Sequence, residues 1–326
     1  MRHLAFIPLL LALGCQNDVG LTAVPDDEVP ERPYEDEPAQ DDEETAEEPP
    51  EEEPPEDEGE NENEPPAEEP PEDEEPPEEE PPEEEPPPED DCVGVSDLVY
   101  VIDRDEEALY LFDPPTGDVT LVGELDCGLW SGTPASMSVS RDGYAYVRYS
   151  DQTVYSVDLE TLDCTETSYG SSFGSFGMGF ATDSATTWQD TLYVANSNQL
   201  AMLDVATWSL NTIGGLPSQS ELTGNAAGEL WAMLPLESPA ELVRLNKTTA
   251  QVEQTVYLSG FPNPYDIDTF AFATWGGSFY LFVRTYGMGN STDIYEVSAT
   301  GQMSLLAGDT GMNVVGAGVS TCAPTN

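Results

Sequence analysis

Histidine is almost missing from this sequence. The only one is His3, inside a leader that is expected to be removed, so the remaining chain carries no imidazole. That excludes Ser-His-Asp and Cys-His catalysis and any His-ligated metal, and it removes the commonest general base. Basic residues are scarce too: eight Lys and Arg stand against 66 Asp and Glu. Nucleic acid is itself a polyanion, so this balance argues against it as a partner. The five cysteines contain no CxxC pair, which leaves a Cys₄ metal site without its usual spacing. No apolar run is long enough for a membrane-spanning helix; the one at Leu4–Leu13 stops at ten residues. Helical signals are nearly absent. Gly316-Ala317-Gly318 lacks the third glycine and the helix of a dinucleotide loop, and it reads as a tightly packed strand.

What is present falls into three parts. Residues 1–14 read as a lipoprotein signal peptide: Arg2 and His3 give a positive start, an apolar run follows, and Leu11-Ala12-Leu13-Gly14-Cys15 ends it. That ending resembles the bacterial lipobox, with Ala12 where Leu is usual, and implies lipidation of Cys15 and a membrane partner through the anchor. Gln16, by resemblance to enterobacterial sorting, implies the outer membrane. Residues 15–91 are expected to be the lipidated Cys and a disordered stalk. Residues 16–91 hold 38 acids, one base (Arg32) and repeated proline pairs. Such a segment buries too little to offset its ordering entropy. Its prolines favour polyproline II and its charges repel. Fully extended at ~3.1 Å per residue, it spans on the order of 200 Å.

Residues 92–326 hold 28 acids and six bases, together with the Tyr, Phe, Leu and Val of a core. About 235 residues suffice for one domain. In LVYVIDRDEEALYLFDPPTGDVTLVG, Leu98 to Gly123, three short apolar runs are separated by turn residues. The grammar returns at TVYSVDLETLDCTETSYG, LAMLDVATWSLNTIGGL, AELVRLNKTTAQVEQTVYL and DIYEVSATGQMSLLAG. Units of roughly 40–50 residues, each of four strands a to d, predict an all-β, five-bladed β-propeller of antiparallel blades. The first unit supplies only b, c and d. Its missing inner strand is expected at the far end of the domain, Asn313–Ser320.

The blades resemble those of secreted bacterial propellers that read LYxxDxxTGxxTxVG. The matching residues are Leu109-Tyr110-Leu111-Phe112-Asp113, Thr116-Gly117 and Thr120-Leu121-Val122-Gly123. Later blades match less well; Ile294-Tyr295-Glu296-Val297 lacks the Asp. Lipobox, acidic linker and the C-terminal VGAGVSTCAP together look like lipoproteins of predatory soil bacteria of the myxobacterial type. The resemblance implies a fold and an address, not an activity.

With Cys15 lipidated, Cys92, Cys127, Cys164 and Cys322 remain, and an exported chain favours disulfides. Cys322 follows the last inner strand and Cys92 precedes the first b strand. In a closed ring those points meet, so Cys92–Cys322 is the expected bridge and Cys127–Cys164 follows by exclusion. The second pair is awkward. Cys127 follows strand d of blade one and Cys164 precedes strand d of blade two, which places them at opposite ends of their strands.

No catalytic motif is present. The d–a and b–c loops emerge on one side of the ring and carry the candidate ligand face: Trp130, Phe173, Phe176, Tyr265, Asp266, Asp268, and Arg148 and Arg284 at equivalent ends of strand b. Exposed aromatics among Gly and Ser suit an envelope glycan or protein; the alternative is that they plug the blade interfaces. No cofactor is expected. Asp103, Asp105, Glu106 and Glu107 offer a weak Ca²⁺ possibility without a dedicated loop pattern. The reading is a non-catalytic binding module on an acidic spacer. The alternative is a polysaccharide-acting enzyme that uses carboxylates such as Asp266, Asp268 and Asp103.

Overall fold

The computed structural model describes residues 92, 95–128, 132–170, 173–186, 189–287 and 291–325. Residues 1–91, with the expected signal peptide, Cys15 and the acidic stalk, lie outside them, as does Trp130. The described residues form a ring of five four-stranded antiparallel sheets.

β1 (Val99–Asp103), β2 (Ala108–Asp113) and β3 (Asp118–Glu124) begin the first blade. The second holds β4 (Pro134–Val139), β5 (Tyr144–Tyr149), β6 (Val154–Asp158) and β7 (Cys164–Glu166). The third holds β8 (Gly177–Thr182), β9 (Asp190–Ala195), β10 (Gln199–Asp204) and β11 (Ser209–Gly215). The fourth holds β12 (Glu221–Gly224), β13 (Leu230–Leu234), β14 (Glu241–Leu245) and β15 (Val252–Tyr257). The fifth holds β16 (Ile267–Trp275), β17 (Ser278–Thr285), β18 (Thr292–Val297) and β19 (Met303–Ala307). Finally β20 (Val314–Gly318) pairs antiparallel with β1, Val101 opposite Ala317, and completes blade one as its inner strand. The inner strands close a circle in which β4 packs on β8, β8 on β12, β12 on β16, β16 on β20 and β20 on β4. The outer strand of blade two is only three residues long; beyond it Tyr169 packs edge-on to Phe176 at 5.6 Å.

The way a strand divides its side chains between two cores has a simple cause. Both faces of a blade are covered by neighbouring blades, so odd and even side chains enter different cores. In β17, Phe279, Leu281 and Val283 join the core shared with blade four, while Tyr280 and Phe282 join the one shared with blade one. The five apolar clusters correspond to the five blade seams. Outer strands face solvent and are far less buried. Removing one fully buried ring such as Phe112 or Phe282 costs about 3–5 kcal/mol.

The inner strands approach closely where glycine leaves room. A Cβ on Gly316 would lie 2.6 Å from the Met137 amide nitrogen, and one on Gly177 would collide with the Ser220 carbonyl and Glu221. This is the packing that GAG suggests in the sequence. Inner strands are also sheet edges, with amides that need acceptors. Side chains of neighbouring elements supply them: Ser138 Oγ accepts from Phe180 N (3.0 Å), Thr223 Oγ1 from Thr274 N (3.2 Å) and Thr292 Oγ1 from Val314 N (3.0 Å).

Both disulfides form, Cys92–Cys322 with a Cα–Cα separation of 6.0 Å and Cys127–Cys164 with 5.0 Å. The objection to the second pair dissolves in the geometry of the outer strands. Sheets twist, so the outer strands of blades one, three and four end against the c–d turn of the following blade rather than above it. Gly123, near the end of β3, abuts Leu162, and Gly214 of β11 abuts Thr249 and Ala250. Gly301 likewise lies against the Tyr257 carbonyl at the end of β15. Cys127 and Cys164 occupy that junction between blades one and two.

Candidate functional site

The d–a and b–c loops share one end of the ring, and among the described residues blade five carries its most exposed aromatics. The d–a connection there is stiff. Asn263 Oδ1 accepts from Tyr265 N (2.9 Å) and caps a 3₁₀ turn at Pro264–Asp266, while Pro262 and Pro264 restrict the backbone. Tyr265 is 91% exposed. Across from it the b–c loop presents Tyr286, 65% exposed. Tyr286 N donates to the Asp266 carbonyl at 2.8 Å and ties the two loops together. A cavity of about 370 Å³ lies here, lined by Asn263, Asp266, Tyr286, Asp293 and Tyr295 among others. Burial raises the Tyr295 phenol above its ordinary pKa, reinforced by the charge of Asp293 and the hydrogen bond that Tyr295 donates to it.

The two carboxylates that sequence proximity groups together have different employment. Asp266 is exposed at the cavity. Asp268 is half-buried and receives Arg284 Nε at 3.1 Å. Arg284, only 8% exposed, has Asp105 at 3.9 Å as a second partner. Asp105 also accepts from Asn313 Nδ2 (3.0 Å). Arg284 therefore joins blades five and one at the rim.

Arg148, at the equivalent place in blade two, is used differently. Its guanidinium donates to the carbonyls of Phe176 (2.9 Å), Tyr149 (3.2 Å) and Ala135 (3.4 Å), and lies 5.3 Å from the Phe176 ring centroid. Burial draws its pKa down, yet an arginine remains charged. Phe176 is buried and Phe173 is half-buried in the seam between blades two and three. Of the face residues expected from the sequence, Tyr265 and Asp266 stand in solvent. Asp268 and Arg284 pair at the rim, while Arg148, Phe173 and Phe176 serve the seams.

Asp103 is consumed structurally: its carboxylate accepts from the amides of Asp105 (2.7 Å), Glu106 (2.8 Å) and Asn313. Asp105, Glu106, Glu107, Glu124 and Asp126 line an acidic cavity of about 570 Å³ nearby. Among the described residues no group of three or more His, Cys, Asp or Glu is arranged to hold a metal ion.

Sequence reasoning missed Tyr286, Asp293, Tyr295 and Glu221. Tyr286 had a signal, since it lies two residues beyond Arg284 on a side already identified. Asp293 and Tyr295 belong to an apparently ordinary c strand. Glu221 begins an inner strand, 6% exposed. Ser136 Oγ donates to its Oε2 at 2.9 Å, and the Met178 amide also binds it. Burial pushes its carboxyl up to about 8, against the opposing pull of Ser136, Arg148 and the Met178 amide.

No family model and no curated protein matches this chain. Solved structures with similar architecture include the glutaminyl cyclase of Myxococcus xanthus, at 14% identity and a TM-score of 0.37, covering 59% of this chain and 72% of that one. A chain of a mitotic checkpoint complex matches at 13% and 0.39, covering 70% and 83%. An auxiliary nutrient binding protein from Bacteroides thetaiotaomicron matches at 12% and 0.39, covering 66% and 55%. These are likenesses of architecture and assign no activity, ligand or partner; the chain itself is a five-bladed β-propeller.

Proposed function

We propose that this chain is an exported lipoprotein, anchored in the outer membrane through Cys15, that holds a non-catalytic propeller away from the bilayer on its acidic segment. The propeller recognises an envelope glycan or protein with the d–a/b–c face. The observation that carries this reading is the pair Tyr265 and Tyr286, held in solvent on two loops joined by the Tyr286–Asp266 backbone hydrogen bond. Exposed rings on a stiff frame lose little entropy on contact, which favours stacking on a partner. The lipobox, the spacer and the likeness to myxobacterial-type lipoproteins support the address.

The test is a binding screen of the full chain against envelope glycans and envelope proteins at low and high salt. A salt-resistant partner that is lost on Tyr265→Ala or Tyr286→Ala is expected. A partner unaffected by both substitutions, or no partner at all, overturns the recognition face. Cys15→Ser should release the chain from membranes; continued membrane association overturns the anchor.

A further inference from the structure

We propose that the blade-five cavity between Tyr286, Tyr295, Asp266 and Asp293 is a binding site for an organic ammonium ion, quaternary or lysine-type. The inference rests on the reading of this face as a recognition surface and names what it takes.

Four kinds of observation converge. Two tyrosine rings and two carboxylates line one cavity, and no basic side chain is among its lining residues. Neither carboxylate has an ion-pair partner among the described residues. Asp293 is fixed by Asp309 N on Oδ1 (2.9 Å) and by the Tyr295 hydroxyl on Oδ2 (3.3 Å). The Asp266 side chain takes no hydrogen bond among the described residues. The frame is preorganised by the capped prolyl turn and the Tyr286–Asp266 backbone bond. The surroundings also lean one way: the domain has 28 acids against six bases.

The chemistry separates large cations from small ones. Ca²⁺ takes six to eight oxygens at short range, and among the described residues no group of three or more His, Cys, Asp or Glu is arranged to hold a metal ion. An alkylammonium spreads its charge over a larger radius. It is attracted by the π-face of a tyrosine and by carboxylates at a distance that a hard ion does not use. The cavity, about 370 Å³, accommodates such a group with part of its stem.

The test titrates the full chain with choline and with Nα-acetyl-lysine amide, and with the neutral isostere 3,3-dimethylbutanol as the control. Binding is followed by calorimetry and ligand-observed NMR. At least one ammonium should bind, more weakly as salt is raised, and the isostere should not. Tyr286→Ala should weaken binding by about 2- to 30-fold, the range of a cation–π contact, and Asp266→Asn should weaken it further. Both positions are exposed, and unchanged near-ultraviolet dichroism confirms that the variants remain folded. Whether choline or the lysine amide binds better identifies the source of the ammonium. Equal binding of the isostere, indifference to both substitutions, or no binding of either cation overturns the site. A macromolecular partner found in the screen, with no ammonium binding, overturns this inference alone and leaves the recognition face standing.

Discussion

Ser136 in blade two hydrogen-bonds Glu221 in blade four at 2.9 Å, although blade three lies between them. The carboxyl passes over Gly177, whose bare Cα leaves the path open. Three blades are thus joined at the mouth of the ring by one protonatable group.

That group makes stability depend on pH. Its folded pKa, about 8, lies above the ordinary 4.5, so the folded state retains the proton throughout that interval. Its contribution is full below about pH 4.5, declines as pH rises toward 8 and is constant above. Arg148 is the charged group facing it and stays cationic throughout. Glu221→Gln keeps a neutral hydrogen-bonding side chain and removes the titration. Above pH 8 the variant should be more stable than the parent by on the order of a few kcal/mol, and the difference should vanish near pH 4. Denaturant titrations of both proteins from pH 4 to 9 measure this. A difference that does not change with pH would refute it.

The two disulfides should be unequal. Cys92–Cys322 closes a separation of 230 residues and Cys127–Cys164 one of 37. Chain-entropy arithmetic gives roughly 5 and 4 kcal/mol. Paired serine substitutions should therefore shift the urea midpoint more for the first bridge. The first pair also frees the end of β20 at the point of ring closure, so unfolding should accelerate most there. A larger loss from the second pair would contradict the entropic account.

Asp268→Asn and Asp266→Asn should part company. The first removes the nearer carboxylate of the buried Arg284, and should destabilise by about 2 kcal/mol. The second alters an exposed side chain and should stay within about 0.5 kcal/mol. Polysaccharide hydrolysis is expected for neither the parent nor the double variant. Turnover by the parent that disappears in the double variant while binding persists would favour the carboxylate enzyme.

The architecture was legible because a blade is short and repeats. Turn residues such as Asp113-Pro114-Pro115-Thr116-Gly117 punctuate apolar runs, and the orphan strand at Val314–Gly318 had only one vacancy to fill. The Cys92–Cys322 bridge followed from that closure. The site was less legible because loop residues give no periodic signal. Arg148 and Arg284 look equivalent by strand position, yet one binds carbonyls and the other carboxylates. Phe173 and Tyr265 both lie in d–a loops, but only tertiary contacts decide that one enters a seam and the other stands in solvent. The Cys127–Cys164 contact needed the tilt of the outer strands, which a one-dimensional pattern does not contain.

The pairing of β20 with β1 also sets a timetable. A chain delivered N-terminus first exposes β1 with an open edge until the last strand has emerged, more than 200 residues later. Every earlier blade can assemble locally, but the circle cannot. Closure, and with it the Cys92–Cys322 bond, therefore waits for the last strand; if the chain is exported as proposed, that bond forms after transport, where thiols can be oxidised.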